Sequence, residues 1–128
     1  MRGKLTEKAS ELIEGQNFAH LATLMTDGSP QVTPVWIDRD GDIIRVNTAK
    51  GRVKLRNVMR DPRVAISIAN QGDPYDRVVI RGRVVEVTEE GAEDHIDQLS
   101  RKYTGADYQK PPGQRRVIIK IRPEHVTS

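Results

Sequence analysis

Two Asp-Gly pairs do most to restrict the fold of this chain. In TDGS (26–29) and RDGD (39–42) an Asp-Gly step separates runs in which apolar and polar residues alternate. Asp-Gly between alternating segments is the strongest short-range signal of a β-hairpin, because such a tight turn needs residues that accept positive φ. NFAHLATLM (17–25), PQVTPVWID (30–38) and DIIRVNT (42–48) therefore read as three consecutive antiparallel strands. Ahead of them, Leu5, Ala9, Leu12 and Ile13 recur at helical spacing. Thr6 is placed to cap that helix and Gly15 to stop it.

The second half continues the pattern. RVAISIA (63–69) is a fourth strand, apolar enough to be buried, and NQGDP (70–74) a loop. DRVVIRGRVVEVT (76–88) is long for one strand, and Gly82 inside it predicts a bulge or sharp bend. EEGAEDHIDQLSRKY (89–103) reads as a helix with Ile96 and Leu99 inward. TGADYQKPPGQ (104–114) is a loop, and RRVIIKIRPEHVT (115–127) closes the chain as a strand. The sum is a mainly β protein: six antiparallel strands on short turns, which favours closure into a barrel, with three flanking helices. At 128 residues it is one domain, 1–128, with enough chain for one core.

Between the third and fourth strands lies AKGRVKLRN (49–57), with four cations and no acid; Arg60 and Arg63 follow against a single Asp61. Thr48 or Asn47 is placed to cap a helix over about 50–60 that Asp61-Pro62 ends. Like charges one turn apart repel by a few tenths of a kcal/mol per pair. The first turn of a helix offers unpaired N–H groups and partial positive charge. Gly51 would let a ligand approach the backbone, and Arg52 and Lys54 add cations, which together make an anion site suited to phosphate. Charge-assisted hydrogen bonds of about 1.5–3 kcal/mol each would outweigh the repulsion. The competing reading is a solvated basic face, with Arg56 and Arg60 exposed or paired to Asp61 and Asn57 a plain surface residue.

Composition removes several classes. No cysteine is present, which excludes disulfides and thiolate metal sites, and His20, His95 and His125 lack ligand spacing, so no metal is expected. No apolar run reaches 18 residues, and the N-terminus lacks the apolar stretch of a signal peptide; a cytoplasmic protein without a membrane segment is expected. The net charge of +3 permits an anionic partner. Only five aromatics (Phe18, Trp36, Tyr75, Tyr103, Tyr108) are available, too few and too scattered to stack bases, so nucleic acid is not expected.

The order strand, DG hairpin, strand, DGD hairpin, strand, then NTAKGRVKLRNVMRDPRVAISI resembles the pyridoxamine 5'-phosphate oxidase-like split β-barrel superfamily. More closely it is similar to the branch of flavin/deazaflavin oxidoreductases that uses coenzyme F420, and K-x-R-N-hydrophobic-x-R-D-P-R-V, here Lys54 to Val64, is the specific part. The resemblance implies an FMN-binding-like split barrel acting as a homodimer, with the cofactor in a groove between protomers. Carried over, Asn47, Thr48, Ala49, Lys50, Gly51, Arg52, Lys54 and Asn57 would surround the phosphate and tail. Gln31, Thr33, Pro34 and Val35 would face the isoalloxazine-like ring. Tyr75, Asp76, Arg77, Val78 and Val79 would come from the other protomer.

The implied activity is hydride transfer from reduced deazaflavin to a small unsaturated or conjugated acceptor. No nucleophile-base arrangement is visible, in keeping with chemistry carried by a cofactor. Proton delivery falls to solvent or to Tyr75 or Arg77. The departures are the missing C-terminal substrate motifs of the pyridoxal phosphate-forming oxidases. FMN is the alternative cofactor, and a non-catalytic flavin, deazaflavin or tetrapyrrole carrier the alternative function. A heme carrier would need an axial ligand: His20, inside an apolar strand, reads as a packed core residue, and His125 is the other choice. Trp36 is expected in the core or a dimer interface rather than against a ligand, and Pro34 marks a strand edge.

Overall fold

The structure is a computed structural model, and it describes residues 3–128. Helix α1 (Glu7–Glu14) is capped as its sequence predicts: Thr6 Oγ1 accepts the Ala9 N–H at 3.1 Å, and Gly15 donates its N–H to Glu11 O. Its inner face buries Ala9, Leu12 and Ile13. The strands are β1 (Ala19–Leu24), β2 (Pro30–Val35), β3 (Ile37–Asp40), β4 (Ile43–Ala49), β5 (Arg63–Asn70), β6 (Asp73–Thr88) and β7 (Arg116–Thr127). Helix α2 (Val53–Arg60) follows β4, and α3 (Ala92–Thr104) follows β6. No helix among the described residues is long and apolar enough to cross a membrane.

All seven strands form one antiparallel sheet in the order β2-β1-β5-β6-β7-β4-β3. The two edges of that sheet, β2 and β3, are separated in sequence by Trp36 alone. A sheet whose first and last strands are one residue apart must curl until its edges meet, and this defines the split barrel. Residues 30–38 are thus not one strand. The chain leaves β1 after the pair Ala19↔Val35 and joins β4 from Ile37↔Val46, which makes seven strands where six are expected.

Inward-facing side chains fill the barrel. Leu21, Ile37, Ile44, Ile66, Ile68, Ile80, Ile119 and Ile121 are all fully buried together with Ile13 from α1. Each such side chain contributes about 1.5–3 kcal/mol by leaving water. Gly82 lies where the long strand β6 bends, at a register shift against β7. A Cβ there would sit 2.5 Å from Arg122 O, so the close backbone approach itself excludes a side chain.

Several local expectations change. Asn47, Thr48 and Ala49 complete β4 in register with β7 and do not cap α2, which begins at Val53 with Arg52 as its N-cap residue and no side-chain cap. Gly51 adopts φ +96°, a conformation that interrupts any helix drawn through it. Helix α3 starts at Ala92 rather than residue 89 because Gly91 stands at φ +75°. The 70–74 loop shrinks to a turn, since β6 already begins at Asp73. His20 is exposed on β1, where the alternation turns Ala19, Leu21 and Thr23 inward; it is not a core histidine.

Candidate functional site

A cavity of about 320 Å³ opens where the ends of β2 and β4, the start of α2, the inner face of α3 and the start of β7 converge. Its apolar wall consists of Phe18, Pro34, Val35, Trp36, Ile96 and Leu99. Trp36, the one residue between the two sheet edges, lines this cavity and stacks on Tyr103 with ring centroids 5.4 Å apart and planes 7° from parallel. Phe18 packs on the same Tyr103 at 5.5 Å. Tyr103 is fixed in turn by donating its hydroxyl to Asn17 O at 2.7 Å, and burial pushes its phenol up to about 12, so it remains a donor.

The opposite wall is cationic and polar. Arg52 and Lys54 come from the start of α2, Arg116 from the first residue of β7, and Asn47, Thr48 and Tyr108 lie between them. No carboxylate lines the cavity, and none of the three cations forms an ion pair among the described residues. Burial, then repulsion from Arg52 and Arg116, depresses Lys54 below the ordinary lysine range. Burial likewise lowers Arg116. The Arg116 guanidinium lies 5.0 Å from the centre of the Tyr108 ring and donates from Nε to Asn47 Oδ1 at 2.8 Å. With no side chain capping the first turn of α2, its N–H groups add further partial positive charge. Three unpaired cations and a helix first turn dominate this wall, and the complement is an anion.

The sequence-predicted residues separate into groups. Pro34, Val35, Asn47, Thr48, Arg52 and Lys54 meet at the cavity. Ala49 is buried beside it in β4, and Gly51 forms an exposed turn whose carbonyl accepts from Arg56 Nη1 at 2.9 Å. Lys50 points away and pairs with Glu89 at 2.7 Å. Asn57 is buried beneath α2, donating to Thr23 Oγ1 at 2.9 Å and accepting from Arg60 at 3.1 Å. Gln31 meets Thr23 at 3.4 Å, while the buried Thr33 Oγ1 has no hydrogen-bond partner.

Tyr75, Asp76, Arg77, Val78 and Val79 run along β6 and do not line the cavity; Tyr75 is 83% exposed, and Asp76 pairs with Lys8 at 3.3 Å. His125 is exposed on β7. Sequence reasoning missed Phe18, Ile96, Leu99 and Tyr108 as lining, and above all Arg116. The one local signal was the Arg115-Arg116 pair that opens the last strand. Its place beside the α2 cations follows only from the β4–β7 register, in which Ala49 pairs with Arg116.

A curled antiparallel sheet with a cationic and aromatic cavity beside the helix that follows β4 defines a flavin-type split barrel. The sequence matches the pyridoxamine 5'-phosphate oxidase family over residues 5–128, and the chain belongs to that family. It is similar to an F420 reductase of known structure, at 31% identity over 96% of this chain and 98% of that one, with a TM-score of 0.85. A conserved hypothetical protein of Mycobacterium tuberculosis matches at 26% identity, covering 95% of this chain and 82% of that one, with a TM-score of 0.75. General Stress Protein 26 of Bacillus anthracis shares the fold at 21% identity, over 94% and 89% of the two chains and with a TM-score of 0.71. Family and fold together support a flavin-binding type of oxidoreductase.

Proposed function

We propose that this protein is an F420-dependent oxidoreductase that binds the deazaflavin cofactor in the cavity between β2, β4, α2, α3 and β7 and reduces a small unsaturated or conjugated acceptor. The observation that carries the reading is the acid-free wall of Arg52, Lys54 and Arg116, all unpaired and the last two partly desolvated, facing a wall of Trp36, Pro34 and Val35. The donor set fits the group: three cations, the Thr48 hydroxyl and the α2 first turn suit a phosphate, and the aromatic and aliphatic wall suits a flat ring. The likeness to an F420 reductase over nearly the whole of both chains supports the choice of cofactor.

When bound, the deazaflavin supplies two-electron hydride transfer, and the protein's part is to bind and orient. Arg52, Lys54 and Arg116 neutralise the phosphate and fix the register of the ring. Pro34, Val35, Ile96 and Leu99 exclude water from its face. A cavity of about 320 Å³ stands at the lower end of the range of about 300–1,000 Å³ for small-molecule sites, so one chain encloses only part of a cofactor with a ring and a tail. We take the working unit to be a homodimer in which the segment Tyr75 to Val79 of a second protomer covers the ring, with Tyr75 and Arg77 as candidate proton donors. The outward exposure of Tyr75, Arg77 and Val79 supports this.

The test is a fluorescence titration of apoprotein with coenzyme F420 and, in parallel, with FMN. F420 should bind in the micromolar range or tighter and FMN much more weakly. Lys54→Ala should weaken binding by about ten- to a hundredfold, the loss of one charge-assisted contact of about 1.5–3 kcal/mol. Tight FMN with weak F420 would transfer the protein to FMN chemistry. A carrier would bind F420 tightly yet fail to speed oxidation of the reduced cofactor by enones, quinones or biliverdin-like acceptors.

A further inference from the structure

Behind the cavity runs a chain of hydrogen bonds whose direction is fixed at every link. Arg116 Nε donates to Asn47 Oδ1 at 2.8 Å. Asn47 Nδ2 lies 2.9 Å from Ala92 O and 3.1 Å from His95 Nδ1. His95 Nε2 lies 3.0 Å from Asp38 Oδ1, and Arg45 grips Asp38 through Nε at 2.9 Å and Nη2 at 2.8 Å. A guanidinium only donates, so the Asn47 amide must turn its oxygen to Arg116. A carbonyl only accepts, so the amide must turn its nitrogen to Ala92. The second N–H of that nitrogen then points at His95 Nδ1, which has to accept. The His95 proton therefore sits on Nε2 and is donated to Asp38.

The far end agrees with this. Burial pushes the Asp38 carboxyl up, but hydrogen bonds from His95 and Arg45 outweigh it and hold Asp38 below its usual range, as an acceptor. The imidazole is only 2% exposed, so the link is shielded from water. The same links would not close in the other polarity. With Asn47 flipped, its NH2 would face the Arg116 Nε–H and its oxygen would face the Ala92 carbonyl, two like-against-like contacts.

We propose that His95 and Asp38 are positioning residues: together they lock the Asn47 amide, and through it hold the Arg116 guanidinium in the anion cavity without touching the ligand. This deepens, and rests on, the reading of that cavity as a phosphate site. Arg116 has alternative contacts at hand, Gln114 Oε1 at 3.2 Å and Tyr108 OH at 3.4 Å from Nη1. Without the Asn47 acceptor it loses its one short side-chain restraint.

The test uses the full chain, ¹⁵N-labelled, with coenzyme F420 and inorganic pyrophosphate as probes. In the wild type without ligand, His95 should carry its proton on Nε2, and the Arg116 Nε–H should give a sharp resonance slow to exchange. His95→Leu should broaden that resonance and weaken both probes about tenfold, the scale of one charge-assisted contact. His95→Gln keeps an acceptor toward Asn47 and a donor toward Asp38, and should restore both readouts to within about threefold of the wild type. A wild-type proton on Nδ1 would overturn the proposal even if no variant folds. So would an unchanged Arg116 Nε–H in folded His95→Leu, or a His95→Gln variant as impaired as His95→Leu. Should the wild type bind neither probe, the phosphate reading falls, while the ligand-free Arg116 resonance still decides whether His95 positions it.

Discussion

Asn57 is where motif and geometry disagree most, and Asn57→Ala separates them. The family pattern places this residue beside the cofactor phosphate, whereas the structure buries it to 3% exposure beneath α2. There its Nδ2 donates to Thr23 Oγ1 at 2.9 Å and approaches Met25 Sδ at 3.3 Å. Truncation leaves Thr23, itself 1% exposed, without that donor, at a cost of about 1–3 kcal/mol for an unsatisfied buried group. The vacated amide volume adds roughly 1 kcal/mol at about 24 cal/mol per Å³ of cavity. The better helix propensity of alanine returns about 0.5 kcal/mol. Arg60 loses its bond to Asn57 but keeps Leu24 O at 2.7 Å on the surface, and contributes little. The net loss is about 1.5–3.5 kcal/mol, or about 5–17 °C in Tm for a domain of this size. Calorimetric melting gives the first number, and F420 titration at 20 °C, where the variant is still folded, gives the second. Affinity should stay within about twofold, since no cavity contact is touched. A Tm within about 2 °C of the wild type together with a tenfold loss of affinity would refute this reasoning and make Asn57 a ligand.

Lys50 and Lys54 should behave oppositely: because Lys50 is paired with Glu89 outside the cavity, Lys50→Ala should leave F420 affinity within about twofold while Lys54→Ala does not. Equal losses in the two variants would mean that the helix acts as a diffuse basic patch. Gly82→Ala drives a Cβ to 2.5 Å from Arg122 O, and overpacking against backbone should lower stability by about 1–3 kcal/mol, read as a fall in urea midpoint; an unchanged midpoint would show that the β6 bend is free to open. Lys102 is pulled down from 10.5 to about 8 by burial, against the attraction of Asp38 and Glu14. Between those values the unfolded chain holds the proton and the folded one has released it, so this group makes stability rise with pH from about 8 to 10.5. The neutral amine still has two N–H groups for the carbonyls of Ile13 and Ile37. Urea midpoints at pH 7 and 9.5 should therefore move in favour of the wild type relative to Lys102→Met, and a pH-independent difference would sink the assignment.

Much of the fold is legible because its signals are local. Gly28 and Gly41 take φ of +86° and +60° in the two turns that Asp-Gly announces, and Thr6 caps α1 from within one turn. The segment from Pro30 to Asp40, one strand by pattern and two in the structure, shows the limit. From Pro30 to Asp40 the inward alternation continues through Val35 and Ile37, both buried, so nothing in the side-chain pattern marks Trp36 as the crossing between sheet edges. What changes there is the hydrogen-bonding partner, β1 before and β4 after, and partners are a property of the closed barrel. The start of α2 at Val53 escapes the sequence for a related reason. Thr48 is a good cap by residue type, but pairing with Val117 holds it in β4, and tertiary pairing outranks capping preference.

The same limit explains the basic run. Its charges look like one patch in the sequence, yet in the structure each goes somewhere different. Lys50 pairs with Glu89, Arg56 donates to Gly51 O, Arg60 to Leu24 O, and Arg63 pairs with Asp61. A helix spreads successive residues around its axis, so a run of cations reaches several environments, and most of these meet an acid or a carbonyl outside the cavity. Only Arg52 and Lys54 stay unpaired at the cavity. The third cation beside them, Arg116, comes from the other end of the chain and is delivered by the β4–β7 register. The crowding is therefore not itself the site. An anion site requires cations that the fold leaves without acids, and that condition is met where two residues of the run face an arginine that the run does not contain.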